Sequence, residues 1–196
     1  MSSRTLTQIK EKVLSHILKI SAFQITTSEP PEVPYSIDLM KLAGSARALK
    51  ETARAYQLLF RAESLQETQR IAGISPSGET FAALLSYLEK KPLLWLGAVS
   101  TTPQRRITGL LQPGDSVLLV DGVHEPANLD EAARTVQAEG GLAKDVIVLI
   151  GGAQRGSNTE DLVKVHALLS ISEIVDYMAS KGAIDKQQAS FLHSHS

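Results

Sequence analysis

An α/β fold with a doubly wound parallel sheet is what this sequence predicts, and three observations carry it. Val117 to Val120 and Val146 to Ile150 are continuous apolar runs, the pattern of strands buried on both faces. Segments with helical apolar spacing stand between the strand-like runs, which asks for a parallel sheet with right-handed crossovers. Turn residues such as Pro113-Gly114, Gly140-Gly141 and Lys181-Gly182 punctuate the alternation.

In chain order, Leu6, Ile9, Val13, Ile17 and Ile20 form an apolar stripe at helical spacing. Phe23-Gln24-Ile25 alternates as a short strand, and Ser28 to Pro34, with three prolines, is a loop. A helix is expected from about Met40 to Arg61 and a strand from Arg70 to Ile74. Ser77 opens a helix ending near Lys90, and Pro92 to Leu96 is the next strand. Asn128, with Glu131 three residues later, resembles a capping box and starts a helix to Ala138, which Gly140-Gly141 ends. Val163 to Leu169 is another strand. Ser170 and Glu173 form a second capping pair before a helix over Ile174 to Ala179, closed by Lys181-Gly182.

Composition points to one ordinary globular domain. The chain has 196 residues, 43% hydrophobic and 21% charged, enough for a sizeable core. With no Cys, disulfides, thiolate metal sites and a Cys nucleophile are excluded. Lys10, Glu11 and Lys12 interrupt any apolar leader at the N-terminus, and no run approaches the ~20 apolar residues of a membrane span. The expectation is a cytoplasmic protein with no membrane association. A net charge of −1 argues against a broad nucleic-acid surface. The five histidines show no ligand spacing, so no metal is expected, and His193-Ser194-His195 reads as a frayed tail.

In an open α/β sheet, ligands bind beyond the carboxyl ends of the strands, where the next helix begins. After the turn Gln112-Pro113-Gly114-Asp115 and the strand Val117 to Val120, that place is Asp121 to Asn128. This segment resembles the ribose-phosphate signature of the type I phosphoribosyltransferases. From about residue 5 to 190, the chain resembles the orotate phosphoribosyltransferases. Pro34-Tyr35-Ser36-Ile37-Asp38, Ile71-Ala72-Gly73 to Ala83, Lys91-Pro92-Leu93 to Leu96 and Leu168 to Ile184 keep that family's order.

The resemblance implies a single domain over 1–196. A small hood would come from about 1–40 and the C-terminal segment, over a core of about 41–170. It also implies transfer of a phosphoribosyl group from its pyrophosphate, as the Mg²⁺ complex, to orotate, a step of pyrimidine biosynthesis. A homodimer is the implied assembly, with Tyr35, Ile37, Leu39, Trp95 and Leu96 in or beside the contact stretches.

The departures concern chemistry. The family holds the ribose hydroxyls with two adjacent acids, and here the pair is Asp121-Gly122. The family cradles the 5′-phosphate with successive N–H groups of a small-residue loop, and here stands Glu125-Pro126-Ala127-Asn128-Leu129. Pro126 has no N–H to give, and Glu125 beside a phosphate costs on the order of 1–4 kcal/mol. The family's mobile loop carries lysines and a His-Gly pair. The stretch Gly97 to Gly109 has neither Lys nor His, and Arg105 and Arg106 are its only cations. Thr26-Thr27-Ser28-Glu29 replaces a Lys-Ser-Gly turn. Gly151 to Gly156 replaces an acid followed by an orotate-contacting Arg, leaving Arg155 near that place. The least altered element is Gly73 to Glu79, where Ser75, Ser77 and Gly78 keep the turn while Glu79 adds negative charge.

Three readings stand open. The first is a binding or regulatory protein without transferase activity, with an unidentified protein or small molecule as partner and a ligand site drawn from Asp121, Glu125, Asn128, Ser75, Ser77, Gly78 and Arg155. The second is an active orotate phosphoribosyltransferase using Asp121 on the ribose and Arg105, Arg106 and Arg155 as cations, with Mg²⁺. The third is an altered enzyme on an unphosphorylated ligand, with His124, Glu125 or Glu79 as acid or base. Plainer roles stand beside these: Asp121 as a solvated acid at a strand end, His124 as polar surface, Arg105 and Arg106 as a solvated loop pair, Trp95 as core or dimer interface.

Overall fold

The computed structural model describes residues 3–26, 34–97, 107–152 and 162–194. Its centre is a six-stranded sheet in the order β5-β4-β3-β6-β7-β8. These strands are β3 (Arg70–Gly73), β4 (Leu93–Leu96), β5 (Ile107–Thr108), β6 (Ser116–Val123), β7 (Leu142–Gly151) and β8 (Lys164–Ser170). All neighbours pair in parallel except β5, which runs antiparallel to β4 at the edge. A separate antiparallel pair, β1 (Phe23–Ile25) and β2 (Tyr35–Ile37), is tied by Phe23 stacked on Tyr35 at 5.0 Å.

The apolar run of β6 feeds two cores because its side chains alternate between the faces of the sheet. Leu118 and Val120 join Ile71, Ile147 and Leu149 on one face. Helices α1 (Ser3–Lys19), α3 (Ala46–Ala62), α4 (Pro76–Glu89) and α6 (Ile171–Ser180) cover that face. Val117 and Leu119 join Val146 and Val148 on the other, under Leu129, Ala133 and Val136 of α5 (Pro126–Ala138). Each fully buried Leu or Val contributes about 1.5–3 kcal/mol, so the run holds the sheet between both layers.

Several boundaries differ from expectation, each for a local reason. The helix expected over Met40 to Arg61 is two, α2 (Met40–Ala43) and α3, because Ser45 caps α3 by accepting from Ala48 N–H at 3.4 Å. Helix α4 starts before Ser77, since Ser75 is its cap and Pro76 its pre-set first residue. The capping box expected at Asn128 is absent. Pro126 starts α5 after Glu125, and the Asn128 amide donates to the Glu125 carboxylate instead. His193, read as part of a frayed tail, instead ends α7 (Lys186–His193), which Asp185 and Gln188 cap, and its Nε2 lies 3.0 Å from Asp176; His195 lies outside the described residues. Trp95 is 43% exposed and so is no core residue; Leu94 beside it faces the interior.

Candidate functional site

Strand β6 runs three residues past the expected end, so Asp121 and Gly122 lie within the ladder. Asp121 pairs with Val148, Val123 with Ile150, and His124 N–H donates to the Ile150 carbonyl at 2.9 Å. Only His124 and Glu125 separate the strand from α5. Pro126 then occupies the first helical position without an N–H, and no side chain caps the helix.

Asp121 is 3% exposed, which corrects the plain reading of a solvated strand-end acid. Its Oδ1 accepts from Ser75 Oγ and, at 2.7 Å, from Gly122 N–H. Burial raises its carboxyl above the ordinary aspartate range, Glu125 pushes the same way, and the bonds from Ser75 and Gly122 oppose the rise. Beneath it the Tyr56 hydroxyl donates to the Asp121 carbonyl at 2.6 Å. Burial, with Asp121 nearby, lifts that phenol well above its usual value, so Tyr56 serves as a neutral donor.

Two glycines let α4 and β6 meet this closely. A Cβ on Gly78 would stand 2.5 Å from the Val120 carbonyl and 3.1 Å from Asp121 Oδ1. A Cβ on Gly122 would overlap Ser77 Oγ and reach 2.8 Å from Leu39 Cδ1. The position of the expected second acid is therefore filled by Ser77 and Leu39.

Two cavities open at these strand ends. One, of about 240 Å³, is lined by Ser75, Ser77, Asp121, Glu125 and Asn128, with Asp38 and Met40 from the segment that follows β2. The other, about 510 Å³, shares Ser75, Pro76 and Asn128 and adds Glu79 and Glu131. Five carboxylates line the two cavities, and no Lys or Arg among the described residues does. Gly78 stands behind Ser75 and donates its N–H to Ser75 Oγ at 3.1 Å. His124 is half-buried, and its Nε2 is buried without a hydrogen-bond partner among the described residues. Arg105, Arg106, Arg155 and the Thr27 to Glu29 turn lie outside the described residues.

The structure thus gathers Ser75, Ser77, Asp121, Glu125 and Asn128. Sequence reasoning did not single out Asp38, Met40 or Tyr56. Asp38 ends a motif quoted for its resemblance, whereas nothing local marks Tyr56, which reaches Asp121 across 65 positions of sequence. No group of three or more His, Asp or Glu among the described residues could hold a metal ion. No helix among them is long and apolar enough to cross a membrane.

No family model matches this sequence, and no curated protein is a significant sequence match. Solved structures do match, at identities that establish the fold. UMP synthase of Leishmania donovani superposes with a TM-score of 0.73 at 17% identity, over 93% of this chain and 41% of that one. Orotate phosphoribosyltransferase of Aeropyrum pernix gives 0.68 at 18% identity, over 85% of this chain and 99% of that one. Adenine phosphoribosyltransferase of Rhodothermus marinus gives 0.62 at 19%, over 82% and 99%. The chain thus spans less than half of the Leishmania protein and nearly all of the other two. The fold is that of the type I phosphoribosyltransferases, orotate and adenine phosphoribosyltransferases among them.

Proposed function

We propose that this chain uses the phosphoribosyltransferase scaffold without the transferase reaction, as a binding or regulatory protein. One observation carries the reading: the strand-end cavities are lined by Asp38, Glu79, Asp121, Glu125 and Glu131, with no cation among the described residues. Phosphoribosyl pyrophosphate is a polyanion, and its transfer develops more charge on the leaving pyrophosphate. Catalysis needs donors and cations aimed at that charge. Here Asp121 Oδ1 already accepts from Ser75 and Gly122, and Glu125 holds the position where the sequence resemblance expects the phosphate loop.

The ligand site of this reading is the smaller cavity, with Ser75, Ser77, Asp121, Glu125 and Asn128 as its polar groups. A resident Mg²⁺ is not part of it, since no group of three or more His, Asp or Glu among the described residues could hold a metal ion. The compartment we assign is the cytoplasm.

The assembly we propose is a homodimer. Leu39 takes no part in its interface, being 4% exposed in the core. Tyr87, 82% exposed, and Leu88 on α4, with Trp95 on β4, are the apolar side chains it would cover. Two-fold pairing buries one patch against its copy. Light scattering at micromolar concentration tests this, and a mass near one chain, 21.1 kDa, would refute it.

The test of function is conversion of orotate and phosphoribosyl pyrophosphate to orotidine monophosphate with Mg²⁺, followed by absorbance. No conversion above background is expected. Turnover near ~1 per second, an ordinary enzymatic rate, would overturn the reading.

A further inference from the structure

The strand-end cavities are walled by carboxylates, and the opposite charge gathers on the solvent side of α3. Arg47, Lys50, Arg54 and Arg61 follow one another at intervals of three, four and seven residues, so they share one face of the helix. At the helical rise per residue the row is about 21 Å long. The only other exposed residues of α3 are Ala46 and Ala62. Lys12 joins the row from α1, its Nζ 3.4 Å from Glu51.

The acids within reach lie beneath this row and are already shared. Glu51, 16% exposed, meets His16 at 2.6 Å and Arg47 at 3.8 Å besides Lys12. Glu89 of α4, 9% exposed, accepts from Gln57 at 2.7 Å and from Arg61 at 2.9 Å. Arg54 donates to the Gln57 amide oxygen, and Lys50 has no ion-pair partner among the described residues. Five cations thus stand over two sunken carboxylates. Like charges three and four residues apart destabilise a helix, so the row is held against its own repulsion.

We propose that this face of α3 docks an acidic helix of a partner protein, whose carboxylates match the row of cations. The proposal deepens the binding reading above and rests on it. A lipid surface asks for apolar or aromatic side chains seated among the cations, and α3 exposes none. A nucleic-acid strand asks for aromatic faces to stack its bases, and Tyr56 and Phe60 of α3 are buried. A second copy paired two-fold on this face would set cations against cations. A row of carboxylates asks only for charge at the right spacing, and the arginine forks can hold it bidentately.

Fluorescence anisotropy of the full chain with a labelled helical peptide of about 20 residues, its glutamates at the same three- and four-residue spacing, tests this. Saturable binding is expected at low salt, weakening about tenfold or more by about 0.2 M salt as exposed charges are screened. Lys50→Glu with Arg54→Glu should weaken it about tenfold or more at constant salt. Lys144→Glu with Lys164→Glu makes the same change of net charge at exposed positions of β7 and β8 and should leave binding within about twofold. All four positions are exposed, and unchanged Tm values confirm that both variants fold. Equal losses in the two variants would reduce the effect to net charge and overturn the proposal. Absence of binding would overturn it too, as would tighter binding to a single-stranded RNA or to phosphatidylserine vesicles than to the peptide. Formation of orotidine monophosphate would refute the binding reading alone, because no turnover enters the anisotropy.

Discussion

Helices α4 and α5 begin at the ends of adjacent parallel strands, β3 and β6, yet their first turns are finished in opposite ways. Ser75 caps α4 by accepting from Gly78 N–H, and the same hydroxyl donates to Asp121. Helix α5 starts on Pro126 with no side-chain cap, and the Glu125 carboxylate turns to the Asn128 amide. A helix N-terminus is a ready anion site only while its N–H groups are free and its surroundings are not negative. At the α4 end Ser75 takes up the Gly78 N–H, and the α5 end carries an acid. The scaffold keeps both helix starts but surrounds them differently.

The largest test of this contrast restores the second acid. Gly122→Asp pushes a side chain into space held by Ser77 and Leu39 and should cost about 2–4 kcal/mol, read as a lower Tm. Adding Ser77→Gly should recover part of the loss. A Gly122→Asp protein as stable as the parent would mean the slot is open. Next, Ser75→Ala removes the α4 cap and the Oγ bond to Asp121 together, a loss of about 1–2 kcal/mol in denaturant unfolding. Going the other way, Glu125→Ser gives α5 the cap that it lacks and should gain about 0.5–1 kcal/mol. No gain would show that Glu125 already serves that end.

The smallest effect concerns the charge of Asp121. Its carboxyl is raised by burial, so the folded chain binds that proton more tightly than the unfolded chain. Its ionisation therefore costs stability, beginning as pH rises through the ordinary aspartate range and complete above the raised value. Asp121→Asn keeps an oxygen for Ser75 and Gly122 and should be about 0.5 kcal/mol more stable than the parent at pH 7. The two proteins should converge as pH falls below the ordinary aspartate range. A difference that grows in acid would contradict the sign.

Much of this molecule was legible in the sequence, because its signals are periodic and strong. Val117 to Val120 and Val146 to Ile150 could only be strands buried on both faces, and they are neighbours at the centre of the sheet. Ser170 and Glu173 make the capping box their spacing promised. Short elements that exist only against a partner strand were missed. Ile107–Thr108 is a strand only because β4 offers an edge, and Tyr35–Ile37 only because Phe23 stacks on Tyr35. At the site, the Asp121-Gly122 and Glu125-Pro126 pairs were visible as letters. Long-range packing decided what surrounds them: Leu39 and Ser77 fill the space beside Gly122, and Tyr56 reaches Asp121 from α3. No local pattern encodes those meetings.

Isothermal titration of the full chain with phosphoribosyl pyrophosphate and Mg²⁺ tests the central claim most directly. A site whose acid is internally bonded and whose cavity walls are carboxylates should give no saturable heat, while circular dichroism confirms a folded protein. One-to-one binding with a low-micromolar or tighter constant, about −8 kcal/mol, would show that the α5 end still holds a phosphate and would contradict the account.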